Sequence, residues 1–279
     1  MRYLALLLLQ LPLTAKTQNT DPVVVQELKF AAEAQVFGLK KAFLYNSDTS
    51  ATGMSGKQFT RFYQVWERMP ERPGFNLFWY PKTAYISADG KYAVTSGPSF
   101  FTTPRDSQIT QTGHYFSIWK KDAQRFRIIF DAAVDYAGGA LPIEKGPSTV
   151  HAPFFAPPDR QLKEDARKII RQAHEAWKKD MEKLPLHAAF RRAADSSSIF
   201  LLPGQEQLSG SRLGPVSFLS SPARSDSSVL HFSADGRFCY EYGRLQLLPT
   251  SAGKYVNYVH VWIISRRKAI LAFAFLSPF

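Results

Sequence analysis

The sequence predicts an α+β chain made of two tandem copies of one domain, and three observations predict it. Short motifs recur in the same order at a spacing of about 146 residues. Each copy opens with helical periodicity and closes with strand patterns, which places helices over one face of a curved, mostly antiparallel sheet. A stretch rich in proline and glycine separates the copies. The 279 residues, 45% hydrophobic and 21% charged, suffice for two small cores.

The chain begins with Met1-Arg2 and an apolar run from Tyr3 to Leu13, too short for the roughly twenty residues that span a bilayer. A positive start before a short apolar run is the pattern of a secretory signal peptide over residues 1–17, with cleavage before Gln18. The expectation is an exported chain, periplasmic or secreted, with no transmembrane segment once mature. No Cys follows the run to carry a lipid.

Asp21-Pro22 is a start signal for the first helix, with Asp as N-cap and Pro at the first helical position, where its missing N–H costs nothing. Gly38 then precedes a second helix at Leu39-Lys40-Lys41-Ala42-Phe43. Strand patterns follow at 77–87, 92–97, 114–120 and 126–133. Asp89-Gly90, between the first two, is a hairpin signal.

Residues 138–158 hold Gly138, Gly139 and five prolines without apolar periodicity, which reads as a stiff linker. The domain plan is therefore 18–135, a linker at 136–161, and a diverged copy at 162–279. In that copy Ile169, Ala173, Trp177 and Met181 form a stripe along a helix, which Pro185 ends before the next begins. Leu186-His187-Ala188-Ala189-Phe190 answers Leu39 to Phe43, Ser233-Ala234-Asp235-Gly236 answers Ser87-Ala88-Asp89-Gly90, and Asn257 to Trp262 answers His114 to Trp119. The last strand runs over 271–276.

Composition removes several function classes. The formal charge of +12 is scattered in short pairs, without a basic stripe interleaved with aromatics, so no nucleic-acid partner is expected. The lone Cys239 sits in an apolar strand between Phe238 and Tyr240 and reads as core, with no disulfide available. The six histidines lack paired ligand spacing, so no metal is expected. Gly53-Met54-Ser55-Gly56 lacks the last glycine of a nucleophile elbow, and no phosphate-binding loop occurs, so no cofactor is expected either.

The residues Trp79-x-Pro81-x-x-Ala84-x-Ile86-Ser87-x-x-Gly90, Thr95-x-Gly97-Pro98, Gly113-His114-Tyr115-x-Ser117-x-Trp119-Lys120-Lys121 and Asp131 resemble the nuclear-transport-factor-2-like superfamily. Within it the likeness is to the SnoaL-like, uncharacterised branch found in many bacterial exported proteins. The second copy keeps Gly236, Tyr242-Gly243, Tyr258 and Trp262, and has Ala274 where the first has Asp131. The resemblance implies two tandem cone-shaped domains, each with about three helices wrapped by a strongly curved sheet around a pocket. It also implies pairing through the sheets, either as an intrachain pseudo-dimer or as a homodimer.

Alternate strand residues share a face, so Tyr115, Ser117 and Trp119 point one way, as do Tyr258, His260 and Trp262. With Trp79 these are the candidate ligand-binding residues, apolar walls with polar handles for a small apolar or amphipathic molecule. Acid–base chemistry would draw on Asp131, Tyr115 and His114, or on Asp48, in the first copy. In the second it would draw on Glu241 or His260 with Tyr240 or Tyr258. Glu241 alternates with Tyr240 and Tyr242 and is expected to be solvated. None of these stands at a diagnostic spacing, so the leading expectation is a binding or protein-interaction module without robust catalysis. The alternative is an isomerase, dehydratase or hydrolase acting through the first copy.

Overall fold

The computed structural model describes residues 21–55, 58–71, 76–102, 109–135, 150–153, 155, 158, 165–248 and 254–278. The expected signal peptide and most of the expected linker lie outside the described residues.

The first unit starts with α1 (Pro22–Phe37), whose N-cap Asp21 accepts from the Val23 N–H at 3.1 Å, as its Asp-Pro start requires. Gly38, at φ 86°, turns the chain into α2 (Leu39–Asn46). Then come β1 (Ser47–Ser55), β2 (Gln58–Arg61), α3 (Phe62–Arg68), β3 (Asn76–Trp79), β4 (Thr83–Ile86), β5 (Tyr92–Thr102), β6 (Ile109–Lys121) and β7 (Phe126–Asp135). They form one sheet in the order β2-β1-β7-β6-β5-β3, with β4 also on β5. All pairs are antiparallel except β1 with β7. The single strand expected over 77–87 is broken at Tyr80-Pro81, because Pro81 has no N–H to give the ladder. There the chain closes on β5 so tightly that a Cβ on Gly97 would lie 2.1 Å from the Tyr80 carbonyl oxygen. The last strand runs past 133 to Asp135, with Asp131 inside it.

The second unit repeats this order with α4 (Ala166–Lys183), α5 (Leu186–Ala193), β8 (Ile199–Leu201), β9 (Leu208–Ser209), β10 (Ala223–Ser228), β11 (His231–Phe232), β12 (Phe238–Leu247), β13 (Tyr255–Ser265) and β14 (Lys268–Pro278). Its sheet order is β10-β12-β13-β14-β8-β9, with β8 parallel to β14 as β1 is to β7. Among the described residues of this unit two α-helices stand where about three were expected. The third is replaced by short 3-10 turns at Gly210–Arg212 and Ser217–Leu219, in a segment whose Gly210, Gly214 and Pro215 disfavour a helix. The buried stripe of α4 is Ala166, Ile170, His174, Trp177 and Met181, with Ile169 and Ala173 at its edge.

The repeated Ser-Ala-Asp-Gly turns close identically. Ser87 Oγ donates to Asp89 Oδ1 at 2.5 Å and Ser233 Oγ to Asp235 Oδ1 at 2.6 Å, while Gly90 and Gly236 sit at φ 69° and 71°. That backbone region favours glycine, which explains why the motif survives in both copies.

Each sheet has two apolar faces. The inner faces carry the helices, over Phe30, Phe43, Trp79 and Trp119 in the first unit and Trp177, Phe190, Tyr258 and Trp262 in the second. The outer faces pack on one another, joining Val94, Phe116, Ile118 and Phe130 to Phe238, Val259, Val261, Phe273 and Phe275 in one core. Tyr92 stacks on Phe238 at 5.1 Å, and Gln207 bonds both Thr83 and Ser96 across the interface. The two sheets thus share one core within a single chain.

Phe273 is fully buried between the sheets. Phe273→Ala is expected to cost about 3–5 kcal/mol and to lower the urea midpoint of both units together. The check is a denaturation curve read in parallel by circular dichroism and tryptophan fluorescence.

Candidate functional site

Each unit buries one carboxylate beneath its helices, and the two stand on opposite elements. In the first unit Glu27 lies on the buried stripe of α1 with Val23, Val24, Phe30 and Ala34. It accepts from Trp79 Nε1 at 2.6 Å and from Thr95 Oγ1 at 2.6 Å, and Trp119 Nε1 donates to Thr95 Oγ1 at 2.8 Å. Burial pushes the Glu27 pKa up to about 7, against the pull of these bonds.

In the second unit the acid is Glu241 on β12 and the helix supplies His174. His174 Nε2 lies 3.0 Å from Glu241 Oε2, His260 Nδ1 lies 3.3 Å from Oε1, and Trp262 Nε1 and Tyr258 Oη donate at 3.0 and 3.3 Å. Burial alone would raise this carboxyl. The bonds and charges of His174 and His260 outweigh it and hold Glu241 well below the usual carboxylate range. Burial lowers the pKa of His260. Among the described residues no group of side chains gathers into a metal-ligand set.

Register shows that the two centres are the same place. Thr95 pairs with Ser117 and Glu241 with His260; Ser117 pairs with Asp131 and His260 with Ala274. Glu27 and His174 are 147 residues apart, as are Leu39 and Leu186. An acid on the helix facing a hydroxyl on the sheet has become a base on the helix facing an acid on the sheet.

The predicted residues are distributed as follows. Tyr115, Ser117 and Trp119 share the inner face of the first sheet, as Tyr258, His260 and Trp262 share that of the second. They are at most 6% exposed, and Trp79 is 7% exposed, so these rings fill the interior. Ser117 Oγ donates to Asp131 Oδ1 at 2.6 Å. Asp131 is half-buried, and burial, with the Glu27 charge adding, pushes its pKa up to about 8. Burial also raises Tyr115, whose hydroxyl leans towards Thr95 and Glu27 without completing a hydrogen bond. Asp131 and Tyr115 are thus brought together beside Glu27.

His114 is not part of this group. As the neighbour of Tyr115 on the strand it faces the other way, beside Gln205 and Glu206 of the second unit. Asp48, in β1 where its register with β7 shifts, accepts from the N–H and the hydroxyl of Ser50 at 2.8 and 2.6 Å, so its carboxylate is engaged locally. Glu241 is fully buried, not solvated: it does face away from Tyr240 and Tyr242, but the face it takes is the helix-covered one. Cys239 is buried, and burial raises its thiol. Sequence reasoning missed Glu27 and His174, whose signal was a polar residue on an otherwise apolar helical stripe.

Phe200, fully buried, pairs with Ala274 where Gly53 pairs with Asp131. At Gly53 the space a Cβ would take is held by the Phe62 ring, so this register is filled in both units, and the carboxylate is present in the first alone. Two clefts among the described residues lie at the α1–α2 corner of the first unit. A cleft of about 520 Å³ there is lined by residues including Phe37, Leu39, Lys40, Trp66, Met69 and Leu77. A more open one of about 760 Å³ beside it is lined by residues including Lys41, Tyr45, Arg125 and Arg127. None of the predicted ligand-binding residues lines either.

No family model matches the chain, and no curated protein matches it. Among solved structures it is similar to a nuclear-transport-factor-2-like protein of unknown function from Shewanella oneidensis, with 19% identity, 39% of this chain and 94% of that one covered, and a TM-score of 0.33. It is similar also to a ketosteroid isomerase-like protein from Erwinia carotovora atroseptica, with 13% identity, 43% and 100% coverage and a TM-score of 0.34. A third is a nuclear-transport-factor-2-like protein with a cystatin-like fold from Novosphingobium aromaticivorans, with 11% identity, 43% and 82% coverage and a TM-score of 0.35.

The two buried acids respond oppositely to pH. Glu27 is raised in the fold, so the folded state holds its proton more tightly, and stability falls as pH climbs from the unfolded value of 4.5 to about 7. Glu241 is depressed, so its contribution is present above 4.5 and is lost on acidification below it. Glu27→Gln should therefore flatten the stability loss between pH 5 and 8, by up to about 3 kcal/mol. Glu241→Gln should cost about 3–5 kcal/mol at neutral pH by stranding its donors. Urea midpoints at pH 5 and pH 8 check both.

Proposed function

We propose that the chain is an exported, tandem nuclear-transport-factor-2-like protein that binds a small apolar or amphipathic molecule at its first unit, with the second unit as its structural partner. The observation that carries this reading is an asymmetry. The first unit has an apolar cleft at its helix corner and a half-buried acid, Asp131, where the second has Ala274; the inner faces of both units are otherwise filled by aromatic side chains. A cleft of about 520 Å³ falls in the size range of small-molecule sites, and its apolar walls with a few polar groups are their usual make-up. Among the described residues no helix is long and apolar enough to cross a membrane, and this is compatible with an exported chain.

A second reading, an acid–base enzyme, is favoured by one observation: Asp131 and Glu27 have pKa values of about 8 and 7 beside a buried tyrosine, and groups poised near neutrality suit proton transfer. If the first unit is catalytic, Asp131→Asn and Tyr115→Phe should each abolish turnover of an enolisable substrate while leaving the fold intact. Unaltered turnover in both would remove this reading.

The binding reading is tested by thermal-shift measurements of the chain against small amphipathic molecules. A ligand at a hundred times its Kd should stabilise the fold by about 2.7 kcal/mol. Phe37 is 62% exposed and lines both clefts, so Phe37→Glu should abolish that gain with little change to the unliganded chain. A shift that survives this substitution would place the ligand elsewhere.

A further inference from the structure

We infer that the α1–α2 corner selects an amphipathic anion, in chemical class a long-chain carboxylate, with its tail in the apolar cleft and its head group at Lys41; this rests on the ligand-binding reading above. The two clefts have different chemistry and a common wall. Phe37, Leu39, Trp66, Met69, Leu77 and Phe101 give the first its apolar surface. The second holds Lys41, Arg125 and Arg127 around Tyr45. Phe37 and Lys41 line both, because Gly38 turns the chain between them. An occupant of the apolar cleft that reaches past Phe37 therefore meets Lys41 next.

The charges decide what kind of head group fits. Four cations line the two clefts, Lys40, Lys41, Arg125 and Arg127, against two acids, Glu33 and Glu71, so the corner is net positive by two. Glu33 is engaged, accepting from Asn46 Nδ2 at 2.8 Å with Lys29 Nζ at 3.8 Å. The arginine heads are fixed in place without being fully neutralised. Arg125 donates to the Tyr45 carbonyl at 2.7 Å and lies 3.7 Å over the Tyr45 ring. Arg127 donates to the same carbonyl at 3.2 Å and pairs with Asp122 at 2.9 Å. Lys41 is exposed and forms no ion pair among the described residues. A neutral hydroxyl would gain less from these cations and a cationic ligand would be repelled, whereas a carboxylate gains hydrogen bonds in which both partners are charged, from groups already oriented.

The test is titration of the full chain with dodecanoate, dodecanol and dodecyltrimethylammonium, followed by Trp66-sensitive fluorescence and calorimetry. Dodecanoate should bind roughly tenfold or more tightly than dodecanol, and dodecyltrimethylammonium most weakly. Lys41→Gln, at an exposed position, and Arg125→Gln should each erode the preference for dodecanoate while leaving dodecanol affinity unchanged, with circular dichroism confirming the fold. Equal affinity for dodecanoate and dodecanol, or a preference untouched in both variants, overturns the anion site but leaves a binding cleft. No binding of any of the three overturns the inference and the reading beneath it.

Discussion

The rest of this structure depends on one constraint: both faces of each sheet must be covered. The helices cover the inner faces, and each sheet covers the outer face of the other, so the central strands β6, β7, β13 and β14 are apolar on both sides. A strand buried on two faces cannot present a polar face to water without breaking one of its contacts. The open clefts described here are accordingly at the helix ends, where the chain turns at Gly38 and the layers stop.

Duplication explains the polar centres. Two copies of one fold inherited a buried position on the first helix and another on the strand facing it, and each unit satisfies that pair differently. Glu27 with Thr95 holds a carboxyl close to neutrality, whereas His174 with Glu241 and His260 holds an ionised carboxylate with a full set of donors. The carboxylate of the second kind is fully satisfied, although His260 Nε2 is buried without a hydrogen-bond partner. The first unit thus keeps a carboxyl near its protonation midpoint with the half-buried Asp131 close by. The pair Gly53 and Asp131 stands where the second unit has Phe200 and Ala274, with Phe62 filling the space beside Gly53.

Much of the fold was legible because local chemistry agreed with it. Asp21-Pro22, the two Ser-Ala-Asp-Gly turns and Pro185 stand where the sequence placed them, and the alternation of Tyr115, Ser117 and Trp119 assigned them correctly to one face. The site was less legible. Alternation says which residues share a face but not what covers it, so Glu241 was expected in water and lies under α4. His114 was grouped with Tyr115 although strand geometry sends adjacent residues to opposite faces. The basic corner was invisible because Lys41 and Arg125 are far apart in sequence and meet only when β7 packs beside α2.

The central claim is that the shared outer core makes the two units one cooperative body. Native-state hydrogen exchange tests it most directly. Amides of β6 and β7 should exchange as slowly as those of β13 and β14, with the same denaturant dependence, because opening either sheet exposes the core common to both. Exchange through β6 and β7 at a much lower free energy, with β13 and β14 still protected, would mean that the units open independently and would contradict the account.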